Sequence, residues 1–325
     1  MIIDIIGDIH GYADKLVGLL KQLGYEHNGQ YFVPPAGHRA LFIGDLIDRG
    51  AQQLATLEIV FAMLDADVAD AVMGNHEYNA LAYATPDPNP DIDTATQYLR
   101  SHNEVHRRQH EAFLAEIPFG SAMHQYWLQR LYELPLWIET DYACFVHACW
   151  DTDSMNLLKP LLTDDNCLTS EGLIATGKED TVAFDALERV LKGVETPLPD
   201  GIVMVDKEGT KRTRVRVRWW LDELNERTLR EVARAPTSAL AQIPSDALAS
   251  NIDFALKTDK PVFVGHYWLT GSPEPLSSQV ACTDYSAAVD HGYLTCYQLD
   301  TEQPLPLTAT QFVQHCHDDI QTVAE

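Results

Sequence analysis

Five short apolar or β-branched runs in this chain each stop at a cluster of residues able to hold a cation, and that repetition limits the fold more than any other feature. Ile2 to Ile6 ends in Gly7-Asp8-Ile9-His10-Gly11. Ala40 to Ile43 ends in Gly44-Asp45-Leu46-Ile47-Asp48-Arg49-Gly50, and Ala69 to Met73 in Gly74-Asn75-His76-Glu77. Ala143 to Val146 runs into His147, and Pro261 to Val264 into Gly265-His266. Between the early runs, apolar residues recur at helical spacing, first Leu16, Leu19, Leu20 and Leu23, then Leu54, Leu57, Ile59, Val60 and Leu64. Strand alternating with helix implies an α/β fold with parallel pairing, right-handed crossovers and helices on both faces of the sheet. In such sheets ligands collect beyond the carboxyl ends of the strands, where all five clusters fall. Glycine precedes four of the clusters because the chain must turn sharply there and let its backbone approach a bound group.

Two stretches differ in character. Thr85-Pro86-Asp87-Pro88-Asn89-Pro90-Asp91 is too proline-rich for the interior of an element and opens a helical insert through about Tyr132. A second insert runs from about Thr152 to Lys257. Residues 1–325 are expected to form one domain, with inserts at about 85–132 and 152–257 making a cap over the strand ends and selecting the substrate.

Composition narrows the function. Twenty-three Lys plus Arg against 48 Asp plus Glu give a formal charge of −25, a field that repels the phosphate backbone of nucleic acid. No apolar run approaches the roughly 18 to 20 residues that a bilayer crossing demands, and the N-terminus has no signal-peptide pattern. Cys144, Cys149, Cys167, Cys282, Cys296 and Cys316 include no CxxC pair, so reduced and mostly buried thiols are expected. The expectation is a cytoplasmic protein with neither nucleic-acid nor membrane partners.

Asp8, His10, Asp45, Asn75, His147 and His266 together offer hard oxygens and imidazole nitrogens without a thiolate. That mixture suits two divalent ions with open positions, manganese above all, with iron or zinc as alternatives. Asp45 is the candidate bridge. One ion would take Asp8, His10 and Asp45, and its neighbour Asp45, Asn75, His147 and His266.

GDIHG, GDLIDRG, GNHE, the strand-end His147 and the later Gly265-His266 resemble the motif series of the calcineurin-like metallophosphoesterases. The nearest branch holds serine/threonine protein phosphatases and symmetrical diadenosine tetraphosphate hydrolases. The resemblance covers about residues 1–80, 143–150 and 261–300, and leaves both inserts outside. It implies layered β sheets flanked by helices with largely helical cap inserts, and a dinuclear centre on the same six ligands. It further implies that His76 protonates the leaving alkoxide, that Asp48 orients His76, and that Arg49 grips the phosphate, with Asn75 also facing substrate. Physical chemistry agrees. A phosphomonoester dianion repels hydroxide unless cations neutralise it, a poor leaving group needs a proton, and arginine offers a planar bidentate donor. Two departures stand out: Ala148-Cys149 follows His147 where the protein phosphatases carry two glycines, and no second histidine follows His266 two residues on.

The family's second phosphate arginine has no clear counterpart. Thr213-Arg214-Val215-Arg216-Val217-Arg218-Trp219-Trp220 alternates strictly, which puts three arginines on one strand face, and Arg218 is favoured for that role. The competing reading is an exposed strand pairing with acidic neighbours. His102, His106 and His110 recur at helical spacing, for which a solvated helix face is preferred over a zinc site. Glu77 is expected to support the metal shell through hydrogen bonds, and Asp284 to play a structural part near it. The expected activity is hydrolysis of phosphomonoesters, on phosphoproteins (serine/threonine or tyrosine) or small phosphate esters, by direct attack of a dimetal-bound hydroxide. Hydrolysis of dinucleoside polyphosphates is the alternative, with Trp219, Trp220 and the arginines gripping the nucleotide. A metal-dependent scaffold without catalysis is the third reading.

Overall fold

The computed structural model describes residues 1–89, 97–205, 211–249, 252–289 and 291–316. Two sheets face each other. In the first the order is Asp284–Tyr285, Tyr293–Asp300, Ile2–Ile6, His38–Phe42 and Ala69–Ala71, with Phe312–His315 also paired to Tyr293–Asp300. Ile2–Ile6, His38–Phe42 and Ala69–Ala71 run parallel, with Ile2 opposite His38 and Ala40 opposite Ala69. The second sheet has the order Val280–Cys282, Val262–Val264, Cys144–Val146 and Trp137–Glu139. Its first three strands are parallel and the fourth is antiparallel.

Alternation along the strands decides what each face buries. Ile3, Ile5, Leu41, Ile43 and Val72 meet Phe145, Phe263 and Ala281 of the second sheet in one apolar cluster. The Phe263 ring lies 5.0 Å from that of Tyr297 across this layer. Ile6, Ala40 and Phe42 point the other way, into the cluster that holds Leu16, Leu19, Leu20, Leu57 and Val60 of helices Ala13–Gln22 and Gln53–Asp65. The strand-helix alternation led us to expect helices on both faces of one sheet. Helices cover only one face, and a second sheet takes the other, because the strands beside His147 and His266 pair with each other rather than with the N-terminal set. The layered α/β arrangement agrees with the one that the motif resemblance implies.

The segment after Thr85 holds helices Glu104–Gln109, Glu111–Glu116 and Ala122–Leu131, while Pro90–Asp91 lies outside the described residues. The segment after His147 holds helices Thr152–Leu158, Ser170–Thr176 and Val182–Lys192, whose N-termini are capped by the side chains of Asp151, Thr169 and Thr181. It also carries a three-stranded sheet in the order Ala233–Arg234, Arg214–Val217, Glu195–Pro197, so this segment is mixed in structure. Among the described residues no helix is long and apolar enough to cross a membrane.

Candidate metal centre

All five clusters lie just past the ends of strands that are parallel within their sheets, and the two sheets bring them to one rim. Asp8, His10, Asp45, Asn75, His147 and His266 are buried there. The turns that hold them are unusual: His10, Asp45, Asp48, Arg49 and His266 all have positive φ, from 50° at Asp45 to 72° at Arg49. Side chains disfavour that region, and residues held in it cluster at functional sites. The glycine expectation holds at Gly265, where a Cβ would sit 2.1 Å from Asp8 Oδ1.

Asp45 is the hub. Its Oδ1 lies 3.3 Å from His147 Nε2, and its Oδ2 lies 3.7 Å from His10 Nε2. His147 Nε2 is also 3.2 Å from Asn75 Oδ1. The far nitrogens of both rings are committed. His147 Nδ1 donates to the Ile43 carbonyl at 2.7 Å, and His10 Nδ1 donates to the Ile47 carbonyl at 3.0 Å. Anchoring one ring nitrogen to a carbonyl fixes the tautomer and aims the other's lone pair inward. Nitrogen and carboxylate oxygen therefore face each other across Asp45, an arrangement that a proton or a bound cation between them satisfies. His10 Nε2 and His266 Nε2 are buried without a hydrogen-bond partner. Atoms able to hold a metal fall into two sets, His10/Asp45/His76 and Asp45/His147/His266, each within 4.8 Å and sharing Asp45; the first holds His76 where Asp8 was expected. These residues fit a pair of cations.

The electrostatics point the same way. Burial, and then the neighbouring Asp284, raises the Asp8 carboxyl well above its ordinary range. Burial also lowers the His10 ring to about 3, with His76 adding to the effect. At His147 burial opposes charge, yet the Asp45 carboxylate outweighs it and lifts the ring to about 10. Crowded carboxylates and imidazoles that disagree so strongly over a proton are what a metal ion would reconcile. Asp8 accepts the His266 backbone N–H at 3.0 Å, which ties the first strand end to the last.

At the edge of this cluster His76 Nδ1 donates to Asp48 Oδ2 at 2.6 Å, leaving Nε2 3.9 Å from Asp45 Oδ2. Burial works against an imidazolium here, but Asp45 and Asp48 overcome it and raise the His76 value. The carboxylate of Glu77 accepts from the backbone N–H groups of Gly74, Asp45 and Leu46, each at 2.8 Å, and so fastens the GNHE turn to the GDLID turn. Asp284 accepts from the Trp268 and Ser286 amides at 2.6 and 2.9 Å, fixing the turn after His266. Arg49 is exposed, with its guanidinium 4.5 Å above the Trp268 ring.

Several expectations need correction. His102, His106 and His110 do not form a solvated helix face. The helix stops at Gln109, and His110 turns inward, buried, with Nδ1 donating to Asp48 Oδ1 at 2.7 Å. His110 is the site residue that sequence reasoning missed. His102 stacks between Tyr83 and Tyr98 at 3.8 and 4.2 Å. Trp219 and Trp220 offer no platform for a base, since both are buried. Trp219 Nε1 donates to the Ala148 carbonyl at 3.1 Å, which Tyr267 Oη also reaches at 2.8 Å. The Ala148 carbonyl, where glycines were expected, is thus pinned from two sides.

The arginine row is divided. Arg214 is exposed, 3.8 Å from Glu195. Arg216 has its Nε buried without a partner and, after burial itself, is the largest influence lowering the His266 ring. Arg218 lines a hollow on the other side of the Tyr267–Trp268 turn.

Residues 1–136 match the calcineurin-like phosphoesterase family model. The chain is 47% identical over 76 residues to an asymmetrical bis(5'-nucleosyl)-tetraphosphatase PrpE from Geobacillus sp. (strain WCH70), covering 23% of this chain and 31% of that protein. Its counterpart in Oceanobacillus iheyensis is 34% identical over 76 residues, with 23% and 30% covered. The chain therefore spans under a third of the length of these curated relatives. A serine/threonine phosphatase from Saccharomyces cerevisiae resembles it at 11% identity and a TM-score of 0.48, over 92% of this chain and 72% of that one. A cold-active protein tyrosine phosphatase of a Shewanella species does so at 15% identity and a TM-score of 0.46, over 97% and 80%. The match to the calcineurin-like phosphoesterase family lies in residues 1–136, whose motifs supply Asp8, His10, Asp45 and Asn75.

Proposed function

We propose that this protein hydrolyses phosphate esters, with phosphomonoesters as the first substrate class, by in-line displacement without a phosphoenzyme. The observation that carries the reading is the set of lone pairs converging on Asp45 with the His76–Asp48 pair at its edge. In this reading Asp8, His10, Asp45, Asn75, His147 and His266 hold two divalent cations, manganese being the best fit to oxygen and nitrogen ligands. Bound there, the ions neutralise phosphoryl charge and lower the pKa of water. The chain's own residues do the rest. His76 gives the Nε2 proton to the leaving oxygen, Asp48 holds its Nδ1–H, and His110 holds the second oxygen of Asp48. Arg49 grips the phosphoryl oxygens, and Arg216 and Arg218, each with a buried Nε that has no hydrogen-bond partner, are the candidates for a second grip. One domain with the two inserts as a cap completes the picture.

A second reading, hydrolysis of dinucleoside polyphosphates, is favoured by the names of the curated relatives. Purified protein loaded with manganese should turn over p-nitrophenyl phosphate. Product analysis on phosphopeptides against diadenosine tetraphosphate would then rank the two readings. Loss of neither activity nor bound metal in Asp45→Asn would end the proposal.

A further inference from the structure

Asp48 divides its carboxylate between two histidines, Oδ2 taking His76 Nδ1–H at 2.6 Å and Oδ1 taking His110 Nδ1–H at 2.7 Å. All three side chains are buried. In the reading above His76 gives its Nε2 proton to the leaving oxygen, while its Nδ1–H stays with Asp48. The ring then turns neutral and the Asp48 charge is left behind, away from water. A buried charge that loses its partner is strongly destabilising. Either imidazole can shed its charge, whereas a guanidinium cannot.

The first insert supplies such a group. Arg100, partly buried, shares a pocket of about 10 Å³ with Asp48, His76 and His110. That is about the space of one water, so Arg100 meets the relay there and not a substrate group. Its Nη1 donates to Asn79 Oδ1 at 3.0 Å and its Nη2 to Gln109 Oε1 at 2.8 Å, both neutral partners. Asn79 follows His76 one turn along helix Asn75–Ala84, and Gln109 immediately precedes His110. The guanidinium thus ties the helix that carries His76 to the turn that carries His110. The Arg100 backbone N–H adds a third tie, to the Ala82 carbonyl at 3.0 Å. Burial is the largest influence on Arg100 and works against its charge, while Glu188 and then Asp48 work for it. Glu188 has a permanent cation in Lys192, whereas the ion pairs of Asp48 are with histidines.

We propose that Arg100 is a positioning residue of this acid relay: its fixed charge offsets that of Asp48 as His76 gives up its proton, and its amide contacts keep Asp48 between the two histidines. The inference rests on the phosphoesterase reading above and deepens it, since the insert expected to cap the substrate also supports the acid. The test compares wild type with Arg100→Ala and Arg100→Lys, as full chains loaded with manganese, on an alkyl phosphate and on p-nitrophenyl phosphate. Arg100→Ala should lose about tenfold or more in kcat on the alkyl ester and far less on p-nitrophenyl phosphate, whose leaving group needs no proton, with KM little changed. Arg100→Lys keeps the charge and should fall between. Arg100→Gln keeps a donor without the charge, should resemble Arg100→Ala, and replaces it if the smaller side chain prevents folding. Millimolar guanidinium should restore part of the alkyl activity of Arg100→Ala, and urea, of the same shape without the charge, should not. Matching losses on the two esters overturn the inference, as does rescue by urea as well as guanidinium. A second measurement needs no turnover. In protein loaded with diamagnetic zinc, the two Nδ1–H protons held by Asp48 should resonate far downfield, and Arg100→Ala or Arg100→Gln should shift that of His76 more than Arg100→Lys does. Unmoved resonances overturn the inference, and a wild type that hydrolyses neither ester ends the phosphoesterase reading instead.

Discussion

His76 sits between two carboxylates, and its charge state follows from them. Burial alone would discharge the ring, but Asp45 and Asp48 hold its value above the ordinary one. An imidazolium with a raised pKa persists as pH climbs past the ordinary histidine range, and its contribution to stability and proton donation is lost only above the raised value. Asp48→Asn removes one source of that rise, so the alkaline limb of the pH–kcat profile is expected to move to lower pH. An unmoved limb would show that His76 is not the acid. His110→Ala should lower kcat at least tenfold for an alkyl phosphate and far less for p-nitrophenyl phosphate, with KM little changed. His110→Asn, which can restore a donor near Nδ1, should recover part of the loss. Equal losses on both esters would mean that His110 only supports the fold. The candidate ligand residues could be singled out because each follows an apolar run at a motif spacing. His110 was not, since its partner is 62 positions away and its spacing with His102 and His106 pointed to a solvated helix face.

Strand ends were the readable elements because a buried strand and its terminal glycine leave a strong local pattern. The pairing of those strands into two sheets was less so, because pairing partners are chosen by packing across the molecule and leave no trace in a single run. Strict alternation placed three arginines on one strand face, but a strand face repeats every two residues and does not say which one approaches the centre. Burial of Trp219 and Trp220 was likewise hidden, since an indole looks the same whether it stacks on a ligand or fills a core. Gly265→Ala puts a methyl group against Asp8 Oδ1, where overpacking costs about 1–3 kcal/mol. The variant is expected to melt several degrees lower and to retain less manganese, as elemental analysis of the purified protein would show. Full retention of both would mean that the turn before His266 has room to relax.

Across the whole molecule the −25 charge is surface repulsion, while the rim concentrates buried Asp8, Asp45 and Asp284. A divalent ion bound there stabilises the folded state by mass action, about 2.7 kcal/mol when the ion is present at a hundred times its Kd. Chelation should therefore lower the melting temperature measured by scanning calorimetry, and manganese should restore it. A midpoint indifferent to chelator would argue against any cation site in the folded chain.

The five left-handed backbone turns at His10, Asp45, Asp48, Arg49 and His266 have a cost of their own, of order 1–2 kcal/mol for each side chain held there. Arg49 exposes the bargain most plainly: Arg49→Gly should melt higher than Arg49→Ala, and both should bind phosphate poorly. A rim assembled this way is robust to drift in its surroundings yet brittle at its own positions, because the residue that would relax each turn is the one that has no side chain to offer.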